Sequence, residues 1–264
     1  MTSALETQVR DRLATDERRL LLMTHVIVGY PSLEANRKML ALMGEADVDL
    51  VELQMPFSEP VADGPTFVRA NQEALANGLR LDDYFDFFEE AGQLCSCPRL
   101  MMGYYNTVYR LGHEQFCQRL AQAGGAGFIL PDLPIEEFGD LFDLSQRQAL
   151  DPIMLMTPTN TEQRLQQIGD HARGFVYTVA RKGVTGSRTK MEEGGVFDLL
   201  KRCRAATSLP LALGFGLSTG DDLRLLYDSQ AKIGIVGSAL LQAWEEGGES
   251  GYARLLAELS DARA

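Results

Sequence analysis

What constrains this chain most is an alternation repeated eight times, in which a short apolar run is followed by a longer amphipathic or polar stretch. The apolar runs fall at 20–28, 49–53, 99–104, 126–130, 152–156, 175–179, 209–213 and 233–236. Bounded by Gly, Pro, Ser and Asp, runs of this length read as buried strands. Between them lie helical patterns, at 65–77, 114–122 and 220–228 among others, and one running to about Gly44 with Ser32 as its cap. Eight evenly spaced β–α units in 264 residues predict an α/β fold closed as a (β/α)8 TIM barrel. A doubly wound sheet is the alternative. A further helix at 6–19 precedes the first strand and is expected to cover the N-terminal mouth of the barrel. No Pro/Ser linker, low-complexity tract or short internal repeat divides the chain, so residues 1–264 are read as one domain.

Composition narrows the function classes. Net charge is −12, which repels nucleic acid and anionic membranes at long range. Neither a membrane-length apolar run nor a signal-peptide core is seen, so the expected location is cytoplasmic. The four cysteines, Cys95, Cys97, Cys117 and Cys203, include a C-x-C but no C-x-x-C pair, and read as free thiols. His25, His113 and His171 lie far apart, so no protein metal site is expected.

In barrels of this kind the chemistry sits at the carboxyl ends of the strands. Glu52, Asp63, Tyr104, Asn106, Asp132, Tyr177, Thr185, Phe215 and Ser238 all fall there. Glu52 interrupts an apolar strand, a costly place for a carboxylate unless it is paired or reactive. In a closed site its proton affinity should rise, which suits a general acid or base. The bland reading is a buried ion pair. Asp63 lies eleven residues on, in a loop that must fold back over the mouth to bring it near Glu52. Read alone, Asp63-Gly64-Pro65 is also an ordinary turn. Gly214-Phe215-Gly216 and Gly237-Ser238 close the last two strands, where glycine turns and a helix N-terminus can receive phosphate. Those glycines would equally serve tight turns. The loop 180–190, basic and glycine-bearing, carries Thr185 and Gly186 and is read as a closing loop, with a solvated surface loop as the alternative. For Tyr104 and Tyr177, pocket roles compete with ordinary barrel packing.

These motifs resemble the tryptophan synthase alpha subunit family. Its signature E-L-G-x-P-F-S-D-P-x-A-D-G-P is met here by 52–65, reading Glu-Leu-Gln-Met-Pro-Phe-Ser-Glu-Pro-Val-Ala-Asp-Gly-Pro. The similarity continues through Tyr104-Tyr105-Asn106, Asp132-Leu133-Pro134, the G-V-T-G loop at 183–186, G-F-G at 214–216 and G-S-A at 237–239, in the same order over nearly the whole chain. The resemblance implies a carbon–carbon lyase of tryptophan biosynthesis that splits indole-3-glycerol phosphate into indole and glyceraldehyde 3-phosphate. It implies Glu52 as the proton shuttle at indole C3 and Asp63 as the partner of the indole nitrogen. Tyr177 is then placed near Glu52, and Thr185 ties its loop to Asp63. Gly186, Gly216, Gly237 and Ser238 would hold phosphate, with Phe215 and Tyr104 completing the substrate site. No cofactor is implied in this chain. Pyridoxal phosphate would belong to a beta subunit, joined with this chain as α2β2.

The chain departs from the family pattern at Gln54 (usually glycine), Glu59 (usually aspartate), Phe175 (usually tyrosine), Ala180 (usually serine) and His25 (usually aromatic, near the indole pocket). None removes a proposed catalytic group. The competing expectations are a freestanding indole-releasing lyase, a catalytically quiet activator of a beta subunit, and another phosphate-binding barrel such as an isomerase. The last leaves the Ala62-Asp63-Gly64-Pro65 loop unexplained.

Overall fold

The computed structural model describes residues 2–15, 20–180, 195–214 and 216–263. A helix, α1 (Ala4–Thr15), leads into β1 (Leu21–Ile27), α2 (Leu33–Glu45), β2 (Leu50–Gln54), α3 (Pro65–Ala76) and α4 (Leu81–Leu94). Then come β3 (Arg99–Met102), α5 (Tyr105–Leu111), α6 (His113–Gln122), β4 (Gly127–Ile129) and α7 (Leu141–Arg147). The second half holds β5 (Asp151–Pro152), β6 (Met154–Met156), α8 (Glu162–His171), β7 (Val176–Val179) and α9 (Gly195–Ala206). It ends with β8 (Leu211–Gly214), α10 (Gly220–Arg224), β9 (Ala231–Val236) and α11 (Ser238–Asp261).

All the strand pairings are parallel, in the order β5-β4-β3-β2-β1-β9-β8-β7-β6. The strand expected at 152–156 is split at Ile153: β5 pairs with β4, and β6 with β7. Ile153 N–H still donates to the Phe128 carbonyl, so the two halves form one stave and the eight-unit barrel is closed.

Side-chain parity separates two apolar layers. Leu22, Val26, Val51, Leu53 and Met101 point outward, toward helices that contribute Met39, Phe88 and Leu199. Leu21, Met23, Leu50, Leu100, Met102, Ile129, Ile153, Phe175, Ala212, Ile233 and Ile235 form the inner layer. Leu5 and Val9 of α1 join that inner cluster, so the first helix closes the N-terminal mouth as its position in the sequence implied. Ser3 caps α1, receiving Glu6 N–H, and its hydroxyl donates to Asp151 on β5. Arg12 and Arg263 both reach Asp49, which also accepts the Leu22 N–H, tying both ends of the chain to the base of β2.

Ser32 caps α2 through the Ala35 N–H, as expected. The helix foreseen at 220–228 ends already at Arg224. Residues 16–19 of the predicted first helix lie outside the described residues. Among the described residues the cysteines are free, no cluster of His, Cys, Asp and Glu is arranged to hold a metal, and no helix is long and apolar enough to cross a membrane.

Candidate active site

The parity that builds the inner layer also aims the polar residues. His25 shares the face of Leu21 and Met23, Glu52 and Gln54 share that of Leu50, and Tyr177 shares that of Phe175. All four therefore point into the barrel above its apolar floor. The β1–β2 register sets His25 opposite Glu52 and Ile27 opposite Gln54. There, at the carboxyl ends of the strands, a cavity of about 260 Å³ is lined by Glu52, Asp63, His25 and Tyr177 on its polar side. Met102, Ile129, Leu155, Val179 and Ile235 form apolar walls, and Gly216, Gly237 and Ser238 close another side.

Glu52 is 1% exposed, and its Oε2 lies 3.2 Å from His25 Nδ1. The other ring nitrogen, Nε2, is 2.7 Å from Gln54 Oε1. Gln54 Nε2 in turn donates to Asp63 Oδ2 at 2.7 Å, and Asn71 Nδ2 donates to the same oxygen at 3.3 Å. A chain of polar contacts thus joins the two carboxylates, Glu52–His25–Gln54–Asp63. Burial raises the Asp63 pKa, and the Glu52 charge adds to the rise; the Gln54 hydrogen bond, His25 and Tyr104 oppose it in part. Burial opposes a charged His25, but the hydrogen bond and charge of Glu52, with Asp63 behind, outweigh it and lift the imidazole above its ordinary pKa. Burial, with the negative field of Glu52 and Asp63, holds the Tyr177 hydroxyl firmly in its protonated form.

Gly216 has φ +82°, a conformation that favours glycine. A Cβ at Gly237 would sit 2.9 Å from Phe67 Cζ and 3.1 Å from His25 Cβ, so this glycine makes room for the His25–Phe67 stack, with centroids 4.6 Å apart. Gly237 caps α11 with no side-chain hydrogen bond, leaving the first-turn N–H groups and the positive end of the helix dipole at the cavity. An anion is favoured there.

Tyr104 is not a wall of the cavity. Its ring is buried, stacks on Phe57 at 5.1 Å, and its hydroxyl receives the Ala62 N–H beneath the Asp63 loop. Asp132 accepts the Tyr105 N–H at the start of α5, the capping role open to any strand-end carboxylate. Asn106 lines a separate groove with Met55 and Pro56. Thr185, Gly186 and Phe215 lie outside the described residues. Asn71 was not singled out from sequence. It sits eight residues beyond Asp63 on α3, and no motif marks it. Phe67, Leu155 and Thr157 were also missed, being ordinary packing residues until the barrel brings them together.

Fold and site together define a barrel enzyme with paired carboxylates and an anion-receptive helix end around one cavity. The chain belongs to the tryptophan synthase alpha chain family, whose model matches residues 12–262. It is 45% identical over 244 residues to the tryptophan synthase alpha chain of Syntrophotalea carbinolica, covering 92% of this chain and 95% of that relative. With the alpha chain of Desulforapulum autotrophicum it shares 41% identity over 256 residues, 97% of this chain and 100% of the other. Among solved structures, Mycobacterium tuberculosis tryptophan synthase superposes with TM-score 0.91 at 32% identity, covering 100% of this chain and 99% of that one.

Proposed function

We propose that this chain, as one barrel domain spanning 1–264, cleaves indole-3-glycerol phosphate into indole and glyceraldehyde 3-phosphate. The observation that carries this reading is the placing of Glu52 and Asp63 in one cavity, with Gly216, Gly237 and Ser238 on its rim. Glu52 in its acid form donates a proton to indole C3, leaving positive charge on the ring nitrogen. Asp63 stabilises that charge, taking a share of the nitrogen proton and returning it as the ring becomes aromatic again. Glu52, now a carboxylate, removes the proton of the side-chain hydroxyl. The carbonyl forms, the C3 side-chain bond breaks, and its electron pair restores the aromatic indole. One group that cycles between acid and base serves both transfers. Apolar walls from Met102, Ile129, Leu155 and Ile235 suit the flat indole ring. Tyr177 adds a hydroxyl that keeps its proton beside Glu52. Gly216, Gly237 and the Ser238 helix end, with Gly186, hold the phosphate. Thr185, Phe215 and Tyr104 complete the site, Tyr104 through its hold on the Asp63 loop.

The cleavage takes no cofactor in this chain. The partner we propose is a tryptophan synthase beta subunit, carrying pyridoxal phosphate, in an α2β2 assembly; the setting is the cytoplasm. The loop bearing exposed Glu59 and Val61, the latter 81% exposed, is the surface offered to that partner. The test is indole release from indole-3-glycerol phosphate by the purified chain, with and without a beta subunit. Weak release that rises with the partner supports the reading. Full activity alone marks a freestanding lyase, and no release in either condition overturns the reaction.

A further inference from the structure

Two of the residues that depart from the family pattern, His25 and Gln54, touch each other at 2.7 Å. Neither makes sense alone. A histidine on an apolar barrel face leaves two ring nitrogens to satisfy, and a buried glutamine leaves an amide. Together, and with Asn71, they settle one another.

The orientation of each group follows from the backbone outward. The Phe57 N–H donates to Asn71 Oδ1 at 3.0 Å, and the Phe67 carbonyl accepts from Asn71 Nδ2 at 2.8 Å. A backbone N–H only donates and a carbonyl only accepts, so the Asn71 amide cannot be reversed. Gln54 then faces two acceptors, Asp63 Oδ2 at 2.7 Å and Asn71 Oδ1 at 3.4 Å, which fixes its nitrogen toward them and its oxygen toward His25. That oxygen can only accept. His25 Nε2 must carry a hydrogen, and Nδ1 is left facing Glu52 Oε2 at 3.2 Å. One proton then lies between Nδ1 and the carboxyl group. Either the ring is neutral and Glu52 is protonated, or the ring is an imidazolium and Glu52 a carboxylate.

Resting on the reading of Glu52 as the proton carrier, we propose that His25 is a positioning residue that shares one proton with Glu52, its ring locked with hydrogen on Nε2 by Gln54 and Asn71. The pair holds the one proton that goes to indole C3 in the first transfer and regains one from the side-chain hydroxyl in the second, without opening the cavity to water. Gln54, a neutral amide, also keeps the negative charge of Asp63 apart from that of Glu52. Around His25 the described titratable groups lining the cavity are Glu52 from β2, Asp63 from the loop after it and Tyr177 from β7. Phe67 of α3, Ile235 of β9 and Ser238 of α11 bring no charge to the cavity. The stack on Phe67, at an interplanar angle of 21°, fixes the ring plane.

The direct test is a nitrogen-15 spectrum of histidine-labelled protein without substrate, His25 being assigned with His25→Phe. The expected spectrum shows hydrogen held on Nε2 from about pH 6 to 9, with the Nδ1 signal alone responding to pH. In Gln54→Leu the ring should lose this fixed form. A His25 that populates both tautomers like free imidazole, or is unaffected by Gln54→Leu, overturns the proposal. The second arm is the pH profile of kcat for indole release. In His25→Phe, and in His25→Phe with Gln54→Gly, the alkaline limb should move by about one pH unit or more, because the shared proton has lost one of its two holders. KM should change by no more than about threefold. A merely structural His25 would lower kcat evenly and leave the limb where it was, which also overturns the proposal. The spectrum needs no turnover, so it decides on the His25 pair even if the wild type releases no indole, a result that would count against the reaction alone.

Discussion

Gln54 donates to Asp63 across 2.7 Å from the same strand that carries Glu52 two residues earlier. One strand therefore sets the spacing of both carboxylates: Glu52 directly, and Asp63 by holding its loop back over the mouth. Asn71 adds a second donor to the same oxygen from α3, so the loop is pinned from two elements.

Replacing Asp63 by Asn tests the charge without dismantling this hold, because an amide oxygen still accepts from Gln54 and Asn71. We expect kcat for indole release to fall on the order of 10²-fold, the usual scale for losing one electrostatic stabiliser in a closed site, with the fold intact by circular dichroism. Unchanged kcat would remove Asp63 from the mechanism.

Gly237→Ala places a methyl group 2.9 Å from Phe67 Cζ and 3.1 Å from His25 Cβ, at the N-terminus of α11. Overpacking of this kind costs about 1–3 kcal/mol, read from urea midpoints. The displaced helix end should raise KM for the phosphate substrate by about tenfold, more than it lowers kcat. Equal KM with lowered stability would confine Gly237 to packing.

The strands were legible because each buried run carries its own parity, and that parity alone turns Glu52 and Gln54 to the face of Leu50. The first helix was legible as an extra segment before the first strand, expected to cover the open mouth; which residues dock there, Leu5 and Val9, was not. Interruption of the fifth stave at Ile153 was not legible, since a single residue between two paired halves leaves no mark in composition. Nor was the role of Tyr104: a tyrosine at a strand end can line a pocket or brace a loop, and here it braces the Ala62 N–H. His25 and Gln54 stood out singly as departures. That they are partners depends on the β1–β2 register and on Asn71, which local sequence does not set.

Asp151 gives a pH dependence apart from the catalytic groups. It is 4% exposed, and burial raises its pKa to about 6, with the Ser3 hydroxyl and Arg173 pulling the other way. A carboxyl group with a raised folded pKa binds its proton more tightly in the fold. Its contribution is therefore fully present below the ordinary value of 3.8 and is lost as pH rises through about 6. The full loss should be about 3 kcal/mol. His25 and Asp63, both raised, slope the same way. Urea unfolding at about pH 5 and pH 8 should show the wild type weaker at the higher pH. In Asp151→Asn, which keeps an acceptor for Ser3, the slope should become shallower, leaving the part due to His25 and Asp63. An identical slope in the variant would show that Asp151 does not carry it.

The central claim is that Glu52 carries the proton. Glu52→Gln keeps the size of the side chain and a nitrogen or oxygen toward His25 but can neither donate to carbon nor accept from the hydroxyl. The decisive measurement is indole release from indole-3-glycerol phosphate by wild type and Glu52→Gln, each saturated with a beta subunit. We predict a loss of kcat on the order of 10³-fold or more, at nearly unchanged KM. Indole release by Glu52→Gln at the wild-type rate would contradict the account.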